Sequence, residues 1–311
     1  MTSTKMRRPA TARGERSLPT FLRASRIAVA LAVATLFSTA PGAVQGAANH
    51  FKIFSGEARL LVVHGYSTSF HWWAFLQRKI DRFRPGDRKI EVNLVAKGGT
   101  PIAKWMDVNT GEPLPPWSER VSPTLPTKGD RPAVVLAQQS LQWVFGGRET
   151  GITGSQDAER IRSGADAIEK YVRLLQRDGA DHVFVAMHIY KEPMEPVIGN
   201  ERLALAEAVA RGAVKFHAGP DVWGPTSKLW PKAFADDKVH PNSIGAEVMA
   251  QLWFETLLKH DGLEVPAWSR QEMESAMQGE PLGLRADHNP FGRLLETWNI
   301  SPKAQAPWQK P

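Results

Sequence analysis

The sequence predicts an α/β protein, a three-layer α/β/α sandwich around a doubly wound, mostly parallel sheet of five strands. Short and nearly continuous apolar runs alternate with longer segments of helical periodicity, and turn residues bound the apolar runs. Strands buried on both faces of a parallel sheet have this composition. A repeated strand-then-helix order is typical of sheets with helices on both faces.

The predicted elements cover most of the chain. Five apolar runs are predicted as strands, at residues 58–63, 89–95, 133–137, 182–187 and 213–217. Four segments are predicted as helices, at residues 70–83, 157–177, 201–211 and 243–260. In such a sheet the active site is expected beyond the carboxyl ends of the strands, on the loops that follow them.

The chain is predicted to have three segments. Residues 1–48 resemble an export signal, because basic residues up to Arg26 precede an apolar stretch at 27–37 and a small-residue cleavage site at Gly46-Ala47-Ala48. That stretch is too short to span a bilayer comfortably, so no stable membrane anchor is expected after cleavage. The protein is therefore expected to be periplasmic or secreted. The main domain is predicted at 49–262 with a proline-rich insertion at 108–132, and a C-terminal extension at 263–311.

The composition excludes several classes of function. The net charge is +7, but residues 1–47 hold seven basic side chains and one acidic, so the rest of the chain is almost neutral. This gives no electrostatic reason to expect a nucleic-acid partner. The chain has no cysteine, which excludes disulfides, a thiol nucleophile and cysteine metal sites. Because no ligand-like spacing of histidines appears either, no metal site is expected.

Two polar segments follow predicted strands. The first is His64-Gly65-Tyr66-Ser67 after the first strand, where a serine hydroxyl is well placed as a nucleophile. An alternative interpretation is that Ser67 or Ser69 caps the following helix. The second is the loop from Asp237 to His240, followed by Pro-Asn and a helix. A carboxylate three residues before a histidine can bond to Nδ1–H of the ring and leave Nε2 free as a base.

These two segments resemble the first and last sequence blocks of the SGNH (GDSL-like) hydrolase family, over roughly residues 57–261. Gly65-Tyr66-Ser67 stands where the family has Gly-Asp-Ser, and the last block corresponds to Asp237, His240 and Pro241. The resemblance implies an SGNH or flavodoxin-like fold. It also implies a catalytic triad of Ser67, Asp237 and His240.

Two further blocks concern the oxyanion hole. Gly98-Gly99-Thr100 matches the second block, which implies the N–H of Gly98 as a donor, with Gly99 as the alternative. Gln139 stands where the third block has an asparagine, so its side-chain amide is the corresponding donor. With the N–H of Ser67, these groups are expected to stabilise the tetrahedral oxyanion.

The resemblance implies hydrolysis of a carboxylic ester without a metal or cofactor, with acyl transfer as a related reaction. Because aromatic faces stack on sugar rings, the many tryptophans make an acetyl ester of a glycan the leading candidate substrate. Among the eleven tryptophans, Trp223 and Trp230 are candidate substrate contacts, since both precede the Asp237 loop. His188 and His217 lie at strand ends and are expected to be structural. An α/β-hydrolase is a weaker candidate because the chain has no G-x-S-x-G elbow. A relative of this fold that binds a carbohydrate or another ligand without turning it over is the remaining alternative.

Overall fold

The computed structural model describes residues 51–54, 60–84, 90–125, 132–192, 194 and 196–278. The predicted export signal and the end of the C-terminal extension lie outside the described residues. None of the helices within these ranges is long and apolar enough to cross a membrane.

The described residues form a single parallel sheet of five strands in the order β2-β1-β3-β4-β5. The strands are β1 (Leu60–Gly65), β2 (Glu91–Ala96), β3 (Ala133–Gln138), β4 (His182–Ala186) and β5 (His217–Ala218). Because the order reverses at β1, the sheet is doubly wound, and the loops after β1 and β3 lie on either side of the switch point. The predicted fold class is confirmed.

Helices cover both faces of this sheet. They are α1 (Ser69–Phe83), α2 (Ile102–Trp105), α3 (Pro115–Arg120), α4 (Ala158–Arg177), α5 (Glu201–Arg211), α6 (Trp223–Lys228), α7 (Ser243–His260) and α8 (Ala267–Gln278). Helices α4 and α7 begin at side chains that cap them. Asp157, for example, accepts a hydrogen bond from the backbone N–H of Arg160 and so caps α4.

The core has two layers because alternate residues of each strand point to opposite faces. In β1, Val62 packs with α4 and α5 on one face, whereas Leu61 and Val63 pack with α1 and α7 on the other. Trp72 of α1 and Trp253 of α7 stack with ring centroids 5.5 Å apart, which fixes these two helices against each other.

The fifth strand is shorter than predicted. Only His217 and Ala218 pair with β4, although the apolar run begins at residue 213. Gly212 ends α5 in the left-handed region (φ 59°), and the four residues that follow it precede the strand without pairing. Among the described residues the strand pairs with β4 alone.

The described part of the proline-rich insertion contributes to the core. Its α3 carries Trp117, which is fully buried and donates from its indole N–H to Asp178 at 2.7 Å. The extension likewise contributes α8, whose Glu272 pairs with Lys79 and Arg82 of α1. Both segments therefore pack on the domain wherever the structure describes them.

Candidate active site

The structure brings Asp237 and His240 together. Asp237 Oδ2 lies 2.5 Å from His240 Nδ1, and its Oδ1 accepts the backbone N–H groups of Val239 and His240, each at 2.9 Å. Partial burial opposes ionisation of Asp237, but the hydrogen bonds from His240 outweigh this effect and lower its pKa to about 2. An ionised carboxylate on Nδ1 orients the ring and leaves Nε2 as the nitrogen that accepts a proton.

The residues after His240 hold this loop in place. Asn242 caps α7 by accepting the N–H groups of Ile244 and Gly245, while its amide donates to the carbonyl of Phe234 at 3.0 Å. Gly245 packs against the backbone of Ala233, where a Cβ atom would lie 2.2 Å from the carbonyl oxygen. The Pro-Asn sequence and the small residue that follow His240 are thus explained by packing of the loop on its own helix.

Ser67 lies in the turn between β1 and α1. Its side chain is half-buried, and the N-cap position of α1 is Thr68, which makes no side-chain cap hydrogen bond. Gly65 allows the close approach on which this turn depends, since a Cβ there would lie 2.5 Å from the Gln138 carbonyl oxygen and 2.3 Å from Ser69 Oγ. The glycine of the Gly-Tyr-Ser sequence is therefore required by packing.

His71 connects the two halves of the site. It follows Ser67 by four residues, about one helical turn, and its ring stacks on that of His240 with centroids 5.5 Å apart. Burial and the neighbouring His240 lower the pKa of His71 to about 4, so its ring is neutral at pH 7. The histidine base therefore lies beside the first turn of α1. Within the described residues no hydrogen bond joins Ser67 Oγ to His240, and such contacts are often longer without substrate.

The backbone near Ser67 offers two hydrogen-bond donors. Gly65 pairs with Ala96 across β1 and β2, so Ser67 and Gly98 each lie two residues beyond a paired position. Within the described residues, the N–H groups of Ser67 and Gly98 donate no hydrogen bond. Gly98 is exposed, with open space where a Cβ would stand, and Gly99 holds the turn with φ at +66°. This geometry suits an oxyanion hole.

The Gln139 side chain lies elsewhere. It is fully buried, and its amide donates to the hydroxyl of Tyr171 at 3.0 Å, with His64 Nδ1 at 3.4 Å. His64 Nδ1 also contacts the Tyr171 hydroxyl closely, and burial lowers the pKa of His64 to about 3. The structure therefore groups Gln139 with a buried polar cluster on the α4 face of the sheet and not with Ser67.

The two tryptophans proposed as substrate contacts both pack on Tyr190. The ring of Trp223 is 5.1 Å from that of Tyr190 and is mostly buried, while Trp230 is half-buried at 6.1 Å. Trp223 also lines a cavity of about 180 Å³ with His188.

The two histidines at strand ends occupy packed positions. His188 is buried against the ring of Tyr66, with centroids 4.9 Å apart. Burial and the nearby Lys191 lower the pKa of His188 to about 3. His217 stacks on Phe184 at 4.7 Å. Both contacts are those of structural side chains, although His188 also lines the cavity beside Trp223.

Sequence reasoning missed several residues near the site. His71 had a usable signal, because residues four apart from a nucleophile share its side of a helix start. Lys191 and Glu201 gave no such signal, since their segments resemble ordinary surface, yet both are buried, and Lys191 lines a cavity together with Asp237.

Comparisons with known proteins give similarity in fold. No family model matches the chain, and no curated protein matches its sequence. Among solved structures it is similar to Axe2, an acetylxylan esterase from Geobacillus stearothermophilus, at 15% identity and a TM-score of 0.46, covering 70% of this chain and 100% of that one.

Two further solved structures are similar at the same level. One is a member of the lipolytic G-D-S-L family from Veillonella parvula, at 15% identity and a TM-score of 0.40, covering 63% of this chain and 96% of that one. The other is TesA, at 13% identity and a TM-score of 0.42, covering 65% and 99%.

Proposed function

We propose that the chain is an exported serine hydrolase that cleaves a carboxylic ester by an acyl-enzyme mechanism. The observation that carries this proposal is the hydrogen-bonded pair of Asp237 and His240 beside the start of α1, where Ser67 has a half-buried side chain without a capping role. This combination of nucleophile, base and orienting carboxylate is the one that acyl transfer requires.

The proposed mechanism has two half-reactions. His240 Nε2 accepts the proton of Ser67 as Oγ bonds to the ester carbonyl carbon, and Asp237 stabilises the imidazolium. The N–H groups of Ser67 and Gly98 then hold the oxyanion. Collapse of the intermediate breaks the bond to the alkoxy group, which takes the proton from His240 and leaves as the alcohol. Water, deprotonated by His240, then bonds to the acyl carbon, the bond from that carbon to Ser67 Oγ breaks, and His240 returns the proton to Oγ as the acid leaves.

The substrate and the cellular location belong to the same proposal. A short acyl ester of a glycan is our leading candidate, and transfer of the acyl group to a second alcohol follows the same chemistry. Export rests on the leader sequence at residues 1–48, and the N-terminal sequence of the mature protein tests it, with cleavage expected near Ala48.

Labelling with a fluorophosphonate tests the serine assignment. We expect the mature protein to form an adduct on Ser67 and to hydrolyse 4-nitrophenyl acetate, because an activated serine attacks both reagents. Ser67→Ala should abolish the adduct and lower kcat by roughly 10⁴-fold or more. Ser69→Ala, a matched control two residues away, should keep both. Absence of adduct and turnover in a folded wild-type protein would refute the enzyme.

A ligand-binding protein without turnover is the second candidate. The observation that favours it is the position of the Gln139 amide, which is bonded to Tyr171 and so leaves the proposed oxyanion hole with backbone donors alone. Under this alternative the folded protein binds an ester without consuming it, and the labelling experiment separates the two candidates.

A further inference from the structure

A cavity of about 550 Å³ lies beside the predicted catalytic loop. Asp237 and Val239 of that loop form one part of its wall, and the segment after β4 contributes Lys191. Arg148, from the loop between β3 and α4, lines it as well. The cavity therefore lies where part of a substrate bound to the triad would extend.

Lys191 is an unusual side chain for such a wall. It is only 7% exposed, and no carboxylate lies within ion-pair distance of it among the described residues. An ammonium group in a buried position is costly unless it is paired with an anion. Its three N–H donors also lack a hydrogen-bond acceptor in the described part of the chain. Lys191 therefore has both charge and donors available for a ligand.

Glu201 attracts Lys191 when it is ionised, but its carboxyl group is hydrogen-bonded to another residue. Glu201 is buried and accepts a hydrogen bond from Ser140 Oγ at 2.9 Å. Burial raises the pKa of Glu201 to about 8, so the carboxyl is largely neutral at pH 7 and compensates little of the lysine charge.

Arg148 adds a second positive charge. It repels Lys191 and, like Lys191, pairs with no carboxylate among the described residues. Glu149 and Glu192 also line the cavity, but both are exposed, and attraction between charges in water is weakened by screening. Asp237 lines the cavity too, but its carboxylate is already bonded to His240 and to two backbone N–H groups. The buried Lys191 and the exposed Arg148 are thus two cationic side chains of the wall without a carboxylate partner among the described residues, and an anion between them would satisfy both.

We propose that this cavity binds an anionic group of the substrate, so that the preferred ester carries a carboxylate on its acyl or alcohol part. The inference rests on the proposed function and deepens it by naming a substrate class. A carboxylate would accept hydrogen bonds from Lys191 Nζ and from the Arg148 guanidinium, while the ester carbonyl lies against Ser67.

Matched pairs of esters test the proposal. Mono-4-nitrophenyl succinate against 4-nitrophenyl butyrate places the carboxylate on the acyl part, and 4-acetoxybenzoate against its methyl ester places it on the alcohol part. We expect kcat/KM to favour the anionic member of at least one pair by about 10- to 100-fold, the usual effect of a hydrogen bond to a charged group. Added salt should reduce this preference.

Variants assign the preference to the cavity. Lys191→Met should remove it by lowering kcat/KM for the anionic esters more than for their neutral counterparts. Because Lys191 is buried, Arg148→Gln tests the same cavity from an exposed position and should lower the preference in the same direction. Lys259→Met is the control, since this exposed lysine lies at the far end of α7, about 25 Å along the helix from the catalytic loop.

The outcomes separate this inference from the proposed function. Turnover of neutral esters without preference for either anionic ester would overturn the inference and leave the esterase standing. If no ester is hydrolysed, binding of 4-hydroxybenzoate measured by NMR still decides, because only a cationic cavity loses that binding in Lys191→Met and Arg148→Gln. Equal binding by wild type and both variants would overturn the inference.

Discussion

At the scale of single residues, the position of Gln139 in the sequence implies one role, and the location of its side chain implies another. By position it corresponds to an asparagine that donates to an oxyanion, yet its amide is bonded to Tyr171 in the core. The β1–β3 register gives the reason. Gln138 pairs with Gly65, and Ser67 lies two residues beyond Gly65. The residue at the corresponding position after β3 is therefore Ser140 and not Gln139.

We therefore expect Gln139→Ala to affect stability more than catalysis. Loss of the amide leaves the buried Tyr171 hydroxyl and the His64 ring with fewer partners, which should lower the free energy of unfolding by about 1–3 kcal/mol. The kcat of the folded enzyme should remain within about 3-fold of wild type. Urea unfolding and aryl acetate kinetics measure the two effects. A loss of about 10² to 10³ in kcat at unchanged stability would instead identify Gln139 as an oxyanion donor.

The predicted triad illustrates how much of a site a sequence specifies. Asp237 and His240 are three residues apart, so their contact depends on one loop and its cap, and both are visible in the sequence. Ser67 and His240 are far apart in the chain, and their approach depends on how α1 packs on α7. That packing involves Trp72, Trp253 and a buried ion pair, none of which a local pattern predicts.

The ion pair between Lys79 of α1 and Glu247 of α7 is the main polar contact between these elements. Both side chains are fully buried, and Glu247 also accepts from Arg78 at 2.7 Å. The two helices begin two residues after Ser67 and three residues after His240. The pair therefore helps to hold Ser67 and His240 in their relative position, at a distance from both.

Removal of one partner of this pair should be costly. We expect Glu247→Gln to lower the free energy of unfolding by about 3 kcal/mol, because the fully buried Lys79 then keeps only the more distant carboxylate of Glu272, at 3.2 Å. The double variant Lys79→Met, Glu247→Leu should recover most of the loss, since a well-packed apolar pair replaces the buried ions. Chemical denaturation measures both.

Glu255→Gln is the control on the same helix. Glu255 is half-exposed and faces Arg270 at 3.7 Å, so its loss should cost only about 0–1 kcal/mol. Equal effects of Glu247→Gln and Glu255→Gln would contradict a specific role for the buried pair.

Over the whole molecule, the fold class and the order of the elements follow from the alternation of apolar runs and helical segments. The predicted bounds of α5 and α7 agree with the structure to the residue. The bounds of β5 do not, because the length of this edge strand depends on its pairing with a neighbour and not on its own sequence. A local sequence pattern also does not predict which charged side chains are buried. Lys191 and Glu201 both follow β4, and the segment after β3 packs against Glu201, where Ser140 donates to its carboxyl group.

Buried ionisable groups at this edge make stability depend on pH in both directions. His64 and His188 are buried with pKa values of about 3, below the unfolded value, so their contribution is complete above about pH 6.5 and is lost as the pH falls. Glu201 has a pKa of about 8, above its unfolded value, so its contribution is complete below about pH 4.3 and is lost as the pH rises towards 8.

Replacement of Glu201 by glutamine should isolate the second effect. An amide resembles the protonated carboxyl in shape and does not ionise, so the free energy of unfolding of Glu201→Gln relative to wild type should increase between pH 5 and pH 8. The expected increase is about 2–4 kcal/mol, on the order of 1 kcal/mol for each pH unit. Urea unfolding at several pH values measures it.

Glu264→Gln, a change at an exposed glutamate, should show no such trend. A difference between Glu201→Gln and wild type that stays constant from pH 5 to pH 8 would mean that Glu201 is already ionised in the folded protein, and Lys191 would then have its counterion within the chain.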